Sequence, residues 1–409
     1  MKASAAVHSR FAANAERQPW SAPRLWVSQL RLSAFRNFRS AELEAAAGPV
    51  LLTGPNGGGK TNVLEALSLL VPGRGLRRAR LSDLSSRLPG NQAATDTGLW
   101  AVSAVVETAQ GPRRLGTGLD PKPRGETQRE RRAVRIDGED GGSQQALGEI
   151  LAAVWLTPET CWIFQEGPGA RRRFLDRLVA AFQPAHNGRW TAYEQAMRER
   201  SRLLKQGQAD ASWLTALERT MAERSVALAA ARRELLQRLS AVTAQDETGF
   251  PRPLLGLSGE AEAWLESEAA VDVEERLAEA LAASRRQDAE GGGAAVGAHR
   301  CDLLVSRRGE AGRPEITAAL CSTGEQKALL VALVLAHARL VAAERGAAPL
   351  LLLDEIATHL DAPHRTALFA ALAGLGAQVW MTGNELAPFR EIAHAARVVT
   401  FEGGVPRSS

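Results

Sequence analysis

The chain has 409 residues, 45% of them hydrophobic, which is enough to bury a large core and suggests two or three domains. Basic and acidic residues nearly balance, 50 against 46, so net charge alone argues for no nucleic-acid or membrane partner. Three cysteines, Cys161, Cys301 and Cys321, fit neither zinc spacing nor a secreted disulfide framework, no apolar run reaches the roughly 18 residues of a membrane span, and residues 1–23 lack the apolar stretch of a signal peptide.

Residues 1–24 read as a disordered N-terminal extension, or as a start codon placed too early. Val50-Leu51-Leu52-Thr53 is a short apolar run that suits a buried parallel strand. Gly54-Pro55-Asn56-Gly57-Gly58-Gly59-Lys60-Thr61 follows and fits the phosphate-binding pattern G-x-x-x-x-G-K-[ST]. The glycines let the loop turn its N–H groups inward, Lys60 offers a cation to the β- and γ-phosphates, and Thr61 offers a hydroxyl to Mg²⁺. Residues 61–70 read as a helix whose N-terminal dipole faces the phosphates.

Basic residues then cluster at Arg74, Arg77, Arg78 and Arg80. Strand candidates cover residues 99–107 and 133–136. Between and beside them a Gly/Pro-rich stretch carries Arg113, Arg114, Lys122, Arg124, Arg129, Arg131, Arg132 and Arg135. Of these, Arg113, Arg114, Arg131 and Arg132 are the candidates for DNA-backbone contacts, and a solvated charged face is the equal alternative. A third cluster, Arg171 to Arg173, can pair internally with Asp176 or Glu166.

Residues 160–290 are expected to be mainly helical. Residues 208–248 hold neither Gly nor Pro, and Leu214, Leu217, Met221, Leu228 and Leu235 form a heptad-like seam. Residues 189–206 suit its antiparallel partner, turned at Gly207, giving an arm of about 40–50 Å at most. Further on, Cys321-Ser322-Thr323-Gly324-Glu325-Gln326-Lys327 reads like the signature segment of ABC-type ATPases, with Ser322 and Gly324 opening a helix as an anion site. Residues 350–353 are four leucines ending in Asp354 and Glu355. The first carboxylate suits the Mg²⁺ shell and the second suits activation of the attacking water. His359-Leu360-Asp361 resembles a D-loop, and strands are expected at 378–381 and 397–401.

Further segments point to one family. Residues 30–39 carry a Phe-Arg-Asn-aromatic turn that includes Arg36 and Asn37, and residues 73–79 are basic. Leu156-Thr157-Pro158-Glu159 is followed by Arg171-Arg172-Arg173-Phe174-Leu175-Asp176, and Gly297-Ala298-His299-Arg300 by Asp302. With these the chain resembles the RecF family of bacterial recombination-repair ATPases, relatives of the SMC heads, from about residue 25 to 402. The resemblance implies an α/β fold, in which an ABC/SMC-type ATPase head combines a P-loop sheet and a β-rich lobe. That head is composite, built from residues 25–159 and 291–409, with 160–290 inserted as a helical arm. It implies ATP and Mg²⁺ as cofactors, with catalysis by Lys60, Asp354 and Glu355 and metal contact by Thr61 and Asp354. Residues 54–61, Arg36, Asn37, Ser322, Gly324 and Asp361 would line the nucleotide. It also implies an ATP-dependent homodimer in which Ser322 and Gly324 reach the nucleotide of the other subunit. A weak DNA-stimulated ATPase, double-stranded or gapped DNA, RecR, RecO and RecA as partners, and a cytoplasmic location follow from the same resemblance.

The chain departs from the ABC pattern at Cys321, where Leu is usual, and at Thr323, where Gly is common. Residues 382–385 (Thr-Gly-Asn-Glu) lack the switch histidine of transporter ATPases, which leaves Thr382 or Asn384 to take its place. Three rival readings are an SMC-like ATPase of another DNA-maintenance or defence system, a transporter ATPase subunit, and an adaptor with a dead site. The first usually carries a nuclease module, for which there is no room. The second gives no reason for the 261 residues that separate Thr61 from Ser322. The third conflicts with intact Lys60, Asp354 and Glu355.

Overall fold

A computed structural model describes residues 20–86, 99–121, 130–207, 210–246, 248–308 and 314–408. The described residues form two compact units. One draws on Met1–Cys161, Glu247–Phe250 and Val334–Ser409, the other on Trp162–Asp246 and Pro251–Leu333.

The first unit contains two six-stranded sheets. In one, Val50–Thr53 lies between Val379–Gly383 and Arg397–Glu402, and the sheet continues through Leu350–Leu353 to Ala153–Leu156. These five strands run parallel, and Val405–Ser408 closes the edge antiparallel. Every residue of Val50–Thr53, Ala153–Leu156, Leu350–Leu353 and Val379–Gly383 is buried. A parallel strand covered on both faces needs apolar side chains throughout, which is why these segments show no alternation. Strands expected at 378–381 and 397–401 are Val379–Gly383 and Arg397–Glu402, and the helix expected over 61–70 is Lys60–Ser68.

The other sheet is antiparallel and runs Phe38–Glu44, Trp26–Phe35, Ala101–Thr108, Gly111–Leu119, Arg132–Ile136, Glu139–Asp140. Its core contains Phe35 packed edge-to-face on Trp100, whose indole N–H donates to Leu81 O at 2.7 Å. Gln378, fully buried, exchanges bonds with both the N–H and the C=O of Val27 and donates to Ala46 O. A buried amide with every contact satisfied is a specific fastener. Residues 1–19 of the expected extension lie outside the described residues. Its last part is tied down instead of disordered: Ser21 N–H donates to Ala373 O at 2.8 Å and the Trp20 indole to Ala377 O at 3.4 Å.

The second unit is built on the helix Ala211–Ala244, 34 residues and about 50 Å long. Asp210 caps its start by accepting from Ser212 N–H. The helix His186–Gln206 pairs with it and ends at Gly207, whose φ of 70° is the left-handed stop of a C-cap. Leu214, Met221, Leu228 and Leu235 are buried along the expected seam. Tyr193 and Ala196 pack against Met221 and Leu228. A second flank, Ala222, Val226 and Ala229, packs on Val273 and Leu277 of the helix Ala270–Ala283. The long helix is therefore the spine of a bundle and not half of a bare two-helix arm.

This unit also extends past the expected boundary at 290. Strand Asp302–Arg307 pairs with Pro253–Ser258 over six residues, which draws the segment up to Leu333 into it. The signature segment therefore belongs to the second unit. The helix that follows it, Thr323–Arg345, is long and apolar enough to cross a membrane, but 78% of its most apolar window is buried within the protein, as in a core helix.

Candidate nucleotide site

The sheet delivers the first half of the site. Val50–Thr53 ends in the loop 54–59, and the helix Lys60–Ser68 starts with Gly59 at φ 106°. A Cβ on Gly59 would stand 2.6 Å from both Asn37 Nδ2 and Phe38 Cζ, and the φ of 106° would strain any other residue there. Asn37 buttresses the loop further by donating to Gly58 O at 3.4 Å and accepting from Asn62 at 2.7 Å.

Lys60 is 5% exposed, and its ammonium donates to Gly54 O (2.6 Å), Pro55 O (2.9 Å) and Asn384 Oδ1 (3.1 Å). Those three acceptors match the three N–H donors of a lysine. Burial lowers its pKa, while Glu355 and Asp354 pull it back up.

Asp354 follows the strand Leu350–Leu353. Its Oδ1 accepts from the Thr61 hydroxyl at 3.0 Å and from the Thr382 hydroxyl at 2.7 Å. Burial raises the Asp354 pKa, and the two hydroxyls only partly offset that. A buried carboxylate beside a threonine hydroxyl is a hard-oxygen pair that suits Mg²⁺, which usually takes one or two carboxylates and completes its shell with phosphate and water. Thr61 and Asp354 are the residues that would hold it. Glu355 is half-buried, with φ 53°, a left-handed conformation costly for a side-chain-bearing residue. Its N–H donates to Thr382 Oγ at 2.9 Å.

The sequence pointed to Arg36 as a nucleotide contact, and in the structure its guanidinium is engaged by the protein. Arg36 holds Glu65 in a two-pronged ion pair at 2.8 and 2.7 Å and donates to Asp83 O. Arg77 joins them, bonding Glu65 at 3.1 Å and Asn62 at 2.6 Å. Glu65, 1% exposed, went unnoticed in the sequence. Its signal was a carboxylate inside the apolar run Val63-Leu64-Glu65-Ala66-Leu67, which needs a cation if buried. Asp361 caps the helix Ala362–Leu375, accepting from His364 N–H at 2.9 Å, and this bond lowers its pKa.

In the second unit, Ser322, Thr323 and Gly324 are exposed at the start of the helix Thr323–Arg345. The anion position there is occupied by Glu325, whose Oε2 accepts from Ser322 N–H (2.9 Å) and Ser322 Oγ (3.0 Å). This reciprocal capping box lowers the Glu325 pKa.

The basic candidates separate. Arg113 pairs with Asp137 at 2.6 Å, and the side chains of Arg114 and Arg131 are exposed. Arg132 is turned inward. It donates to Leu69 O, Val71 O and Gly73 O at 2.6, 3.0 and 2.7 Å, and to Thr117 Oγ at 2.8 Å. Burial brings its pKa down to about 10. It is thus a fastener at the C-terminal end of the phosphate-loop helix, and its charge is not offered to DNA. Lys122, Arg124 and Arg129 lie outside the described residues. Arg171 binds Asp302 with two bonds (2.8 and 2.7 Å) and not Asp176. Asp176 instead pairs with Arg232, which is fully buried.

A phosphate loop, a strand ending in Asp-Glu and an exposed signature serine, carried on a parallel sheet and a helical unit, define an ATPase head of the ABC/SMC class. A family model described as "RecF/RecN/SMC N terminal domain" matches residues 26–405. The chain is 47% identical over 381 residues to the "DNA replication and repair protein RecF" of Mesorhizobium japonicum, covering 92% of this chain and 96% of that one. It is 42% identical to the protein of the same description from Rhizobium meliloti, covering 93% and 98%. Among solved structures it is similar to "Structure of the recombination mediator protein RecF-ATPrS in RecFOR pathway", with TM-score 0.77, 20% identity and coverage of 96% and 100%. An SMC head domain with an extended coiled coil from Pyrococcus furiosus gives TM-score 0.51 at 15% identity, covering 94% and 96%. The chain belongs to the RecF family.

Proposed function

We propose that this chain is an ATP-gated DNA-binding protein of replication and recombination repair, with slow ATP hydrolysis. The observation that carries this reading is the Asp354 carboxylate, which receives the hydroxyl of Thr61 although the two lie 293 residues apart in sequence. This contact between the phosphate-loop threonine and the strand-end carboxylate supports an ATP·Mg²⁺ site. Lys60 and the loop 54–59 bind the phosphates, and Thr61 and Asp354 hold Mg²⁺. When bound, that ion would neutralise phosphate charge. Glu355 orients or deprotonates the attacking water.

The exposed Ser322 and Gly324 suit a phosphate supplied by a second copy of the chain, which would displace the Glu325 carboxylate from the Ser322 N–H and hydroxyl, so ATP joins two heads. The joined heads clamp double-stranded DNA near single-strand gaps, with Arg114 and Arg131 as backbone contacts. Such binding is independent of sequence and falls with salt. Hydrolysis opens the dimer. The names of the relatives and the family resemblance support action in the cytoplasm beside RecR and RecO, ending in RecA loading.

The test is fluorescence anisotropy of a gapped duplex titrated with Glu355→Gln protein, with and without ATP. We expect binding that requires ATP and disappears when Lys60→Ala is added. Equally tight binding without ATP would reject the gated clamp and leave the nucleotide to control a protein partner.

A further inference from the structure

We infer that the end of the strand Val379–Gly383, with the residue after it, is the γ-phosphate sensor of this site. Asn384 reads the phosphate and Thr382 passes the state to both carboxylates. The inference rests on the reading of the site as an ATP site and deepens it.

Thr382 is the fourth residue of that strand, and Asn384 is the first residue beyond it. Their surroundings differ. Thr382 is fully buried and its hydroxyl is fully used: it donates to Asp354 Oδ1 at 2.7 Å and accepts from Glu355 N–H at 2.9 Å. One hydroxyl thus sets the carboxylate that would hold the metal and the backbone of the residue that would activate water. The second bond also pins Glu355 in its left-handed conformation, φ 53°. Thr382 has no hydrogen left to offer a phosphate, so it is a positioning residue.

Asn384 is exposed, and its side-chain oxygen accepts from Lys60 at 3.1 Å. A lysine only donates, so the amide must present oxygen here. Lys60 is parked on this oxygen and on two loop carbonyls, which keeps it from a nucleotide. A nucleotide that recruits Lys60 frees the amide oxygen. Rotation of the amide then turns its NH₂ group towards an incoming terminal phosphate. ADP can recruit Lys60 through its β-phosphate but offers nothing for the amide to donate to. Asn384 therefore separates ATP from ADP, a task the missing histidine leaves unfilled.

The test measures equilibrium affinity for fluorescent ADP and for a fluorescent non-hydrolysable ATP analogue, plus single-turnover ATP hydrolysis. For Asn384→Ala we expect the preference for the ATP analogue over ADP to shrink by about tenfold, the size of one charge-assisted hydrogen bond, with ADP affinity unchanged or slightly tighter. Asn384→Asp should bind the ATP analogue worse than Asn384→Ala, because its carboxylate repels the γ-phosphate. Thr382→Val should slow single-turnover hydrolysis at least about tenfold while ATP-analogue affinity stays within about threefold, and Thr382→Ser should restore the rate. An Asn384→Ala protein with the wild-type ATP-to-ADP preference would overturn the sensor, as would a Thr382→Ser protein as slow as Thr382→Val. Wild-type protein that binds neither nucleotide would instead overturn the ATP-site reading.

Discussion

Arg132 shows how a charge that looks available in sequence can be committed in the fold. The phosphate-loop helix ends at Ser68, and the turn that follows presents the carbonyls of Leu69, Val71 and Gly73 beside the negative pole of the helix. Arg132 meets Leu69, Val71 and Gly73 there with its guanidinium, and Thr117 holds the Nε. Arg132→Ala should therefore cost about 2–4 kcal/mol of stability, because buried carbonyls lose their donor. It should not change the salt dependence of DNA binding beyond what the stability loss explains. Urea unfolding and DNA titrations at several salt concentrations check both halves. Arg114→Ala and Arg131→Ala should do the opposite, each reducing the salt slope by about one with little change in stability. The sequence showed that residues 113–135 were basic. It could not show which arginine turns inward, because the deciding acceptors sit on a helix end about 60 residues away.

Pairing between helices and strands explains the motifs that resemble RecF most specifically. Arg171 on the helix Pro168–Phe182 grips Asp302, the first residue of the strand Asp302–Arg307, and Arg172 donates to Cys301 O at 3.0 Å. From the same helix, Asp176 grips Arg232 on the long helix. Burial pushes the Asp176 pKa up, but Arg232 and the His186 bond outweigh it and hold it at about 2. The Arg-Arg-Arg-Phe-Leu-Asp and His-Arg-x-Asp segments are thus two sides of one fastener. Cutting it by Arg171→Ala strands a largely buried Asp302, so we expect a loss of about 2–4 kcal/mol. Asp302→Asn should cost less, since its amide oxygen still accepts one bond. Chemical denaturation of the three proteins decides it. At this scale the apolar parallel strands were legible because burial on both faces leaves no other composition. The strand Gly111–Leu119 was not, because Gly-Pro-Arg-Arg-Leu-Gly-Thr-Gly-Leu breaks every strand preference. One of its glycines has a packing reason: a Cβ on Gly118 would stand 2.6 Å from Trp100 O.

The molecule as a whole divides by function. One unit holds the loop, the carboxylates and the candidate sensor, and the other holds the signature serine. The division was partly legible, since the seam of residues 214–235 announced a helical body. The boundary was not, because the pairing of Pro253–Ser258 with Asp302–Arg307 is a long-range event that local pattern does not encode. The second unit also carries an acid sensitivity. Burial, the largest influence on His299, takes its pKa from 6.5 down to about 4 against the opposing bond to Ala294 O. The ring is neutral, with Nδ1 accepting from Tyr193 at 2.6 Å and Nε2 donating to Ala294 O at 2.9 Å. Below pH 6.5 the unfolded chain takes a proton that the folded one refuses, so stability falls as pH drops towards 4. Between pH 7 and 5 this amounts to at most about 2 kcal/mol, less in proportion to the ring's partial exposure. His186, also lowered mainly by burial, adds in the same direction. Unfolding at pH 7 and pH 5 should show the loss, and His299→Gln should shrink it.

The order of strands in the parallel sheet has a consequence for synthesis. Val50–Thr53 is made early and lies between Val379–Gly383 and Arg397–Glu402, the last parallel strands to leave the ribosome. At about 5–20 residues per second, it waits roughly 15–60 s with neither neighbour in existence. During that time three apolar residues and two unpaired backbone edges are open to any other nascent strand. The strand that carries the phosphate loop is therefore the part of the newborn chain most in need of a chaperone, and no nucleotide can shield it until the end of the chain arrives.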